Sequence, residues 1–475
     1  MSSRANDLVN AVQSFWRVSV LALQGRQYDY TTESMGRAVL LLAIPMVLEM
    51  VAESIFAVVN IFWVSRLSSE AVAVVGLTEA AMSLIYAFAV GISFAATAFV
   101  ARRIGENGDT ESAAQSAGQV ILLSIAVSVG LGLLLCVFAA DILRLLGADE
   151  TIVALGSEYA RVMFAGNVTV FLMFVINAIL RGAGDAVLAM RALWFSNALN
   201  LFLAPCLLFG WGPFPELGVT GAAYATTISR GLGVIYLLWH VTGDHSHVRL
   251  RLRLRHLKPV AHEIGLIMVT AWSGIAQMLV STTSAIGLFS IAALSGTTAL
   301  AGCTVALRVV QFVLMPALGL ANAGATMVGQ NLGAENPDRA AEAVRIALRY
   351  NVIFLGIVGT LIFVFATPIS AIFTNDPMVL HESTLALRIV TIALPFYAAG
   401  MCFEAAFNGA GDTWTPARLN FICFWILQVP LAWVLAVSFK MGSLGVYASV
   451  PISFSVLALW SAFLFSRGKW KEYEI

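Results

Sequence analysis

The sequence predicts an all-α integral membrane protein, with twelve transmembrane helices in two parallel-repeat six-helix bundles around a central cleft. Three observations predict it. Hydrophobic residues make up 59% of the 475 and charged residues 11%, where soluble chains carry about 25% charged residues. With a mean hydropathy of +0.86, the solvent for most of this surface is lipid. Apolar runs long enough to cross a bilayer, about 20 residues, recur along the whole chain. The chain also repeats itself. Arg181-Gly-Ala-Gly-Asp185 returns as Asn408-Gly-Ala-Gly-Asp412, a shift of 408 − 181 = 227. Gly91–Gly105 lines up with Gly319–Gly333 at 333 − 105 = 228.

The elements follow in order. Spans begin near Ala38, Ala71, Ala117, Glu158, Ala192 and Gly218, then near Ala261, Thr298, Val344, Thr384, Arg418 and Ser443. Pro45, Pro205, Pro316 and Pro395 are compatible with membrane helices, where neighbours satisfy the freed backbone groups. The organisation is a segment at 1–36, a bundle at 37–240, a basic linker at 241–260, a second bundle at 261–466 and a tail at 467–475. Arg17 interrupts the apolar stretch Ala11–Leu23, which argues for an amphipathic helix on the membrane face over a signal peptide.

Basic residues set the orientation. Arg4, Arg17, Arg26 and Arg37 precede span 1. Arg102 and Arg103 follow span 2, Arg181 and Arg191 follow span 4, and Arg249, Arg251, Arg253, Arg255 and Lys258 follow span 6. Both termini are expected in the cytoplasm, with the chain in the inner cell membrane. The R-L-R-L alternation of the linker fits a strand, an amphipathic piece on anionic headgroups, or a solvated connection that only signals topology. Because both halves enter from one side, their relating axis runs along the membrane normal.

Composition excludes several classes. Net charge is zero, so nothing draws the chain to nucleic acid. Cys136, Cys206, Cys303, Cys402 and Cys423 sit in apolar runs without ligand spacing and read as small hydrophobes. No P-loop, nucleophile elbow or H-E-x-x-H occurs. The expectation is a non-enzyme without cofactor, working as a monomer on a small amphipathic molecule within the bilayer.

Ionisable residues inside spans are the candidate site, since each costs at least ~2.5–3.5 kcal/mol at mid-bilayer. Glu49 and Glu53 in span 1 are i and i+4 and share a face, which Asn60 continues. Two carboxylates this close in low dielectric are not expected to ionise together without a cation. The structural alternative pairs each with a buried base, for which Arg308 in span 8 is the candidate. Glu404 in span 10 and Glu79 in span 2 read first as interfacial residues. Asp185 and Asp412 read as caps of the helices that follow the Gly-rich turns. The amides Asn177, Asn197, Asn200, Gln277 and Asn322, with Thr226, need buried partners. Gln277, Arg308 and Glu404 form a possible second-bundle site.

With these positions in view, the chain resembles the multidrug and toxin extrusion (MATE) family, in its prokaryotic DinF-like branch. The markers are IPMVLEMVAESIFAVVNIFWVSRL, RGAGD, NGAGDTWTP, PFPELGVTGAAYAT and LMPALGLANAGATMVGQNLGA, spread from about Met35 to Phe465. The resemblance implies export of amphipathic, often cationic, compounds by antiport with H⁺ or Na⁺, through alternating access between the bundles. It implies a first-bundle coupling site of two aspartates with amides and a threonine, which map to Asn177, Asn200 and Thr226. The aspartates do not carry over: their places hold Asn60 and Ala204. Glu53, with Glu49, is then expected to supply the charge. The competing readings are a flippase for lipid-linked substrates, which needs a cavity rich in bases, and a non-transporting membrane protein that lost coupling.

Overall fold

The computed structural model describes residues 13, 16–26, 28–106, 110–243 and 250–475; Arg4, Ala11 and Arg249 fall outside them. The described residues are helical with no strand. Span 1 is Met35–Val64, span 2 Ser69–Gly105, span 3 Thr110–Val137, span 5 Ala186–Phe209 and span 6 Gly218–Thr242. Span 4 is the pair Glu150–Ala165 and Asn167–Ala183. The second half repeats the plan with span 7 Ala261–Leu294, span 8 Thr297–Gly333, span 9 Pro337–Val364, span 11 Trp414–Ser438 and span 12 Ser443–Ser466. Span 10 is the pair Pro377–Ile392 and Leu394–Ala410, bent by 51°. Pro395 explains the bend: as the second residue of the inner half, it has no N–H to continue the helix before it. Span 6 is less apolar than its neighbours because Thr226, Thr227, Ser229 and Arg230 interrupt it.

The repeat reappears in the geometry. Span 4 breaks at Gly166 and span 10 at Ala393, and 393 − 166 = 227. A short helix precedes each broken span, Ala139–Leu145 and Ala366–Ala371, again 366 − 139 = 227 apart. Gly184 and Gly411 end spans 4 and 10 in the left-handed region, at φ 88° and 92°. Glycine takes that conformation without the Cβ clash of other residues, which is why the Gly-rich turn occurs twice. Asp412 caps the following helix as expected, with Thr415 N donating at 3.1 Å, whereas Asp185, at the N-cap of span 5, makes no side-chain cap bond.

The described residues of the linker form no strand. Leu250 and Leu252 are buried while Arg251 and Arg253 are exposed, and residues 254–257 form a 3₁₀ turn. The Gln119 side chain holds this segment onto span 3, donating to His256 O at 2.8 Å and Lys258 O at 2.9 Å and accepting from Val260 N at 2.9 Å. Those backbone groups are satisfied by the bundle, so no sheet partner is required. Residues 16–23 are helical and leave Trp16 70% exposed, as a helix lying on a membrane face requires.

Small residues bring the bundles together. A Cβ on Gly91 would strike the Ile275 backbone, one on Gly319 the backbone of Met46 and Val47, and one on Gly333 the Arg102 carbonyl. Close backbone approach at small residues is how helices associate in lipid. All these approaches fall in the halves of spans 1, 2, 7 and 8 nearest Met35, Gly105, Ala261 and Gly333. That face also carries the two Gly-rich turns, Tyr30 and the C-terminal Tyr473. Tyr30 donates to Gly184 O at 3.3 Å, Gln330 to Gly182 O at 2.8 Å, and Arg102 to Tyr473 O at 3.2 Å. The seal between the bundles is therefore at this face.

Candidate coupling site

Glu49 and Glu53 share a face of span 1, but they are not a mutually repelling pair that lacks cations. Each has its own arginine. Arg181 Nη1 donates to Glu49 Oε1 at 2.7 Å, and Asn177 Nδ2 donates to the same oxygen at 3.2 Å. Arg230 Nη2 donates to both oxygens of Glu53, at 2.7 and 2.9 Å. A buried carboxylate needs a countercharge and hydrogen bonds to offset desolvation of several kcal/mol per ion, and a guanidinium supplies both. Each acid therefore pairs with a buried base, the alternative that the spacing left open, although neither base is Arg308.

The two pairs differ in access. The Glu49 and Arg181 side chains are 2% and 10% exposed, while Glu53 is 26% exposed with Arg230 at 4%. Glu49 lies one turn from the Met46–Val47 seal, and Glu53 one turn further from it. Arg230 also stacks on Phe56, its guanidinium carbon 4.6 Å from the ring centroid, so a cation–π contact and an ion pair hold it together.

Arg308 is not the buried base: it is exposed on span 8 and pairs with neither glutamate. The bases are Arg181 and Arg230. Arg181 belongs to the last turn of span 4, four residues after Asn177, and the i, i+4 spacing sends both side chains to Glu49. The available signal was a basic residue inside an otherwise uncharged apolar run, which holds most clearly for Arg230 in span 6.

The amides divide into separate groups. Asn200 Nδ2 approaches Thr226 Oγ1 at 3.3 Å and Ser229 Oγ at 3.4 Å, joining spans 5 and 6 without touching either glutamate. Asn197 donates to Ala52 O at 2.9 Å. Asn60 stays on the span 1 stripe, two turns past Glu53, outside both ion pairs. Ala204, in the place of the second expected aspartate, is buried.

In the second bundle Glu404 is no interfacial residue. It lies on the inner half of span 10 with Oε1 fully buried, and Gln277 of span 7 faces its carboxyl. Asn408, one turn on, donates to Gln277 Oε1 at 3.4 Å. Among the described residues no Lys or Arg forms an ion pair with Glu404. Glu79 is not interfacial either: it stands ten residues into span 2 (79 − 69 = 10), and its charged neighbours are Glu53 and Arg230. Among the described residues no group of three or more His, Cys, Asp or Glu side chains is placed to hold a metal ion.

The MatE family model matches residues 45–206 and 273–434, one stretch in each half. The chain belongs to the MATE family. Its relatives include a probable multidrug resistance protein NorM of Thermotoga maritima, 28% identical over 431 residues that cover 91% of this chain and 92% of the relative. Another is a probable multidrug resistance protein YoeA of Bacillus subtilis, 27% identical and covering 93% and 96%. An FAD transporter of Shewanella oneidensis is 26% identical, covering 91% and 94%. Among solved structures, a multidrug resistance MATE family transporter of the MOP superfamily in an outward-facing conformation superposes with a TM-score of 0.86 at 27% identity, over 93% of this chain and 98% of that one. Among the described residues ten helices and the bent pair of span 10 are long and apolar enough to cross a membrane, and with Gly218–Thr242 they make up the twelve spans of MATE transporters.

Proposed function

We propose that this MATE transporter is a secondary active exporter of amphipathic, cationic compounds, driven by antiport with H⁺ or Na⁺ and working as a monomer in the inner cell membrane. The bundles at 37–240 and 261–466 rock about the shared seal, with the linker at 241–260 and both termini on the cytoplasmic side. The carrying observation is that Glu53 stands one turn beyond the Glu49 level, partly exposed to the cleft, with a base that can release it. A cationic cargo reaching the cleft competes with Arg230 for Glu53. That competition makes the affinity for cargo depend on the state of the ion pair, which is what a gradient-driven cycle needs.

Cationic cargo fits better than anionic cargo. Arg181 and Arg230 each already hold a carboxylate, so neither of these two buried bases is left open to a phosphate or pyrophosphate. The flippase reading, which needs such a cavity, loses support for that reason. Glu404, beside Gln277 and with no ion-pair partner among the described residues, is the second-bundle candidate for binding the coupling ion. Asn60, Asn177, Asn200 and Thr226 serve as polar lining and positioning groups.

The test is efflux of a cationic dye from proteoliposomes of defined orientation under an imposed pH gradient, and separately under a sodium gradient. Drive by one of them names the coupling ion. Drive by neither, for a panel of cationic and zwitterionic dyes, overturns the reading in favour of a membrane protein that has lost coupling.

A further inference from the structure

Four spans place ionisable side chains at one level of the first bundle. Spans 1 and 2 are antiparallel neighbours. Glu53 lies 64 − 53 = 11 residues from the outer end of span 1, and Glu79 lies 79 − 69 = 10 from the outer start of span 2. Arg230 lies 230 − 218 = 12 from the outer start of span 6, and Tyr159 lies 159 − 150 = 9 from that of span 4. At 1.5 Å per residue these depths agree to within about 5 Å. The side chains converge: Arg230 holds Glu53 at 2.7 and 2.9 Å, and both are charged neighbours of Glu79. Tyr86, two turns below Glu79, and Tyr159 close the group. Among the described residues no other charged side chain from the packed spans faces Glu79.

Charge counting gives the consequence. One guanidinium serves two carboxylates. With both ionised, the group carries a net negative charge in low dielectric, at a cost only a second cation or a proton relieves. Glu53 takes the arginine and leaves Glu79 without one.

We propose that Glu79 carries the exchanged proton of the first bundle and that Arg230 is handed from Glu53 to Glu79 when cationic cargo binds. Cargo pairs with Glu53 and frees the guanidinium. The guanidinium turns to Glu79, whose carboxyl loses its proton to the water of the cleft. Cargo and proton then compete without touching the same carboxylate, and Arg230 transmits the competition. By linkage, binding of one lowers affinity for the other by the same factor. This rests on the exporter reading above.

The experiment uses the full chain in detergent, with tetraphenylphosphonium as probe, in weakly buffered solution containing a pH indicator. The wild type is expected to release about one proton per bound probe. Its affinity should rise with pH, by up to about tenfold per unit. Glu79→Gln should bind the probe with no proton release and with affinity flat in pH, and Glu53→Gln should weaken binding at least tenfold. Proton release by Glu79→Gln equal to the wild type overturns the proposal, as does release that disappears in Glu404→Gln and persists in Glu79→Gln. If Glu79→Gln fails to fold, Glu79→Asp must shift the pH midpoint of release; an unshifted midpoint overturns it as well. Absence of release and of pH-driven transport in the wild type would instead strike the exporter reading with H⁺ as its ion.

Discussion

In the first bundle the buried acid stands on span 1 and its base on span 4; in the second the acid stands on span 10 and, among the described residues, no base pairs with it. The positions correspond under the internal repeat. Glu49 falls on Gln277 (277 − 49 = 228), Asn177 on Glu404 (404 − 177 = 227) and Arg181 on Asn408 (408 − 181 = 227). Both triads are in contact, Glu49 with Asn177 and Arg181 in one and Glu404, Gln277 and Asn408 in the other. One scaffold thus holds an acid, an amide and a base in one half, and an acid with two amides in the other. The second ion pair has no counterpart: Glu53 falls on Ser281 (281 − 53 = 228), which accepts from Asn420 at 3.3 Å. The difference teaches that duplication kept the polar positions while the charge balance diverged. The first triad is neutral with its acid ionised; the second is neutral only when Glu404 holds a proton or a cation.

The largest expected effect separates the two acids by stability. Glu49→Gln strands Arg181 in the interior and should cost about 3–5 kcal/mol, read as a fall in thermal unfolding temperature in detergent. Glu404→Gln replaces a base-free acid with its neutral isostere and should cost no more than about 1 kcal/mol, while reducing gradient-driven dye efflux. Equal destabilisation by the two variants would break the comparison.

A double-mutant cycle sharpens it. Arg181→Asn, which gives the first triad the residue of the second, should destabilise by about 3–5 kcal/mol. Adding Glu49→Gln should recover most of that loss, because the remaining groups are neutral amides. A purely additive double mutant would show that the pair is not the energetic unit.

The Gly-rich turns should behave alike where the triads differ. Gly184→Ala and Gly411→Ala place a Cβ in the left-handed region, each at about 1–2 kcal/mol, and each Cβ would also press on Tyr30 or Ile475 respectively. Unequal losses in the two variants would show that the terminal segments, and not the turns, carry the cost. The smallest effect is expected for Thr226→Val, which removes one acceptor of Asn200 and should cost about 0.6 kcal/mol, with cargo affinity little altered.

Much of the fold was legible in the sequence. Apolar run length follows from bilayer thickness, so span starts at Gly218, Ala261 and Ser443 agree with the helices, while spans 3, 4, 9 and 10 begin about seven residues earlier than expected. Spans 3, 4 and 9 begin with polar or charged turns, Thr110-Glu111 and Pro337-Asp338 among them, which hydropathy excludes although helix geometry includes them; in span 10 His381, Glu382 and Ser383 interrupt the apolar run one turn in. The site was legible in part. The i, i+4 spacing of Glu49 and Glu53 gave their shared face, since one helix sets that relation. Their partners were not, because Arg181 and Arg230 lie 132 and 177 residues away in sequence. Arg181 near a loop reads equally as a topology signal and as a buried base, and only the packing of span 4 on span 1 separates the two.

Sequence alone therefore determined the solvent, the twelve-span duplication, the repeated glycine turns and the family, because each depends on composition, period or local backbone conformation. The tertiary structure decided which acids are neutralised. Charge pairing depends on depth and facing between helices distant in the chain, and a shift of one helical position would hand Arg230 from Glu53 to another neighbour. That is why Arg308, the base the sequence offered, stands exposed, while Glu79 and Glu404, which it offered as interfacial, stand among the buried groups of the two bundles.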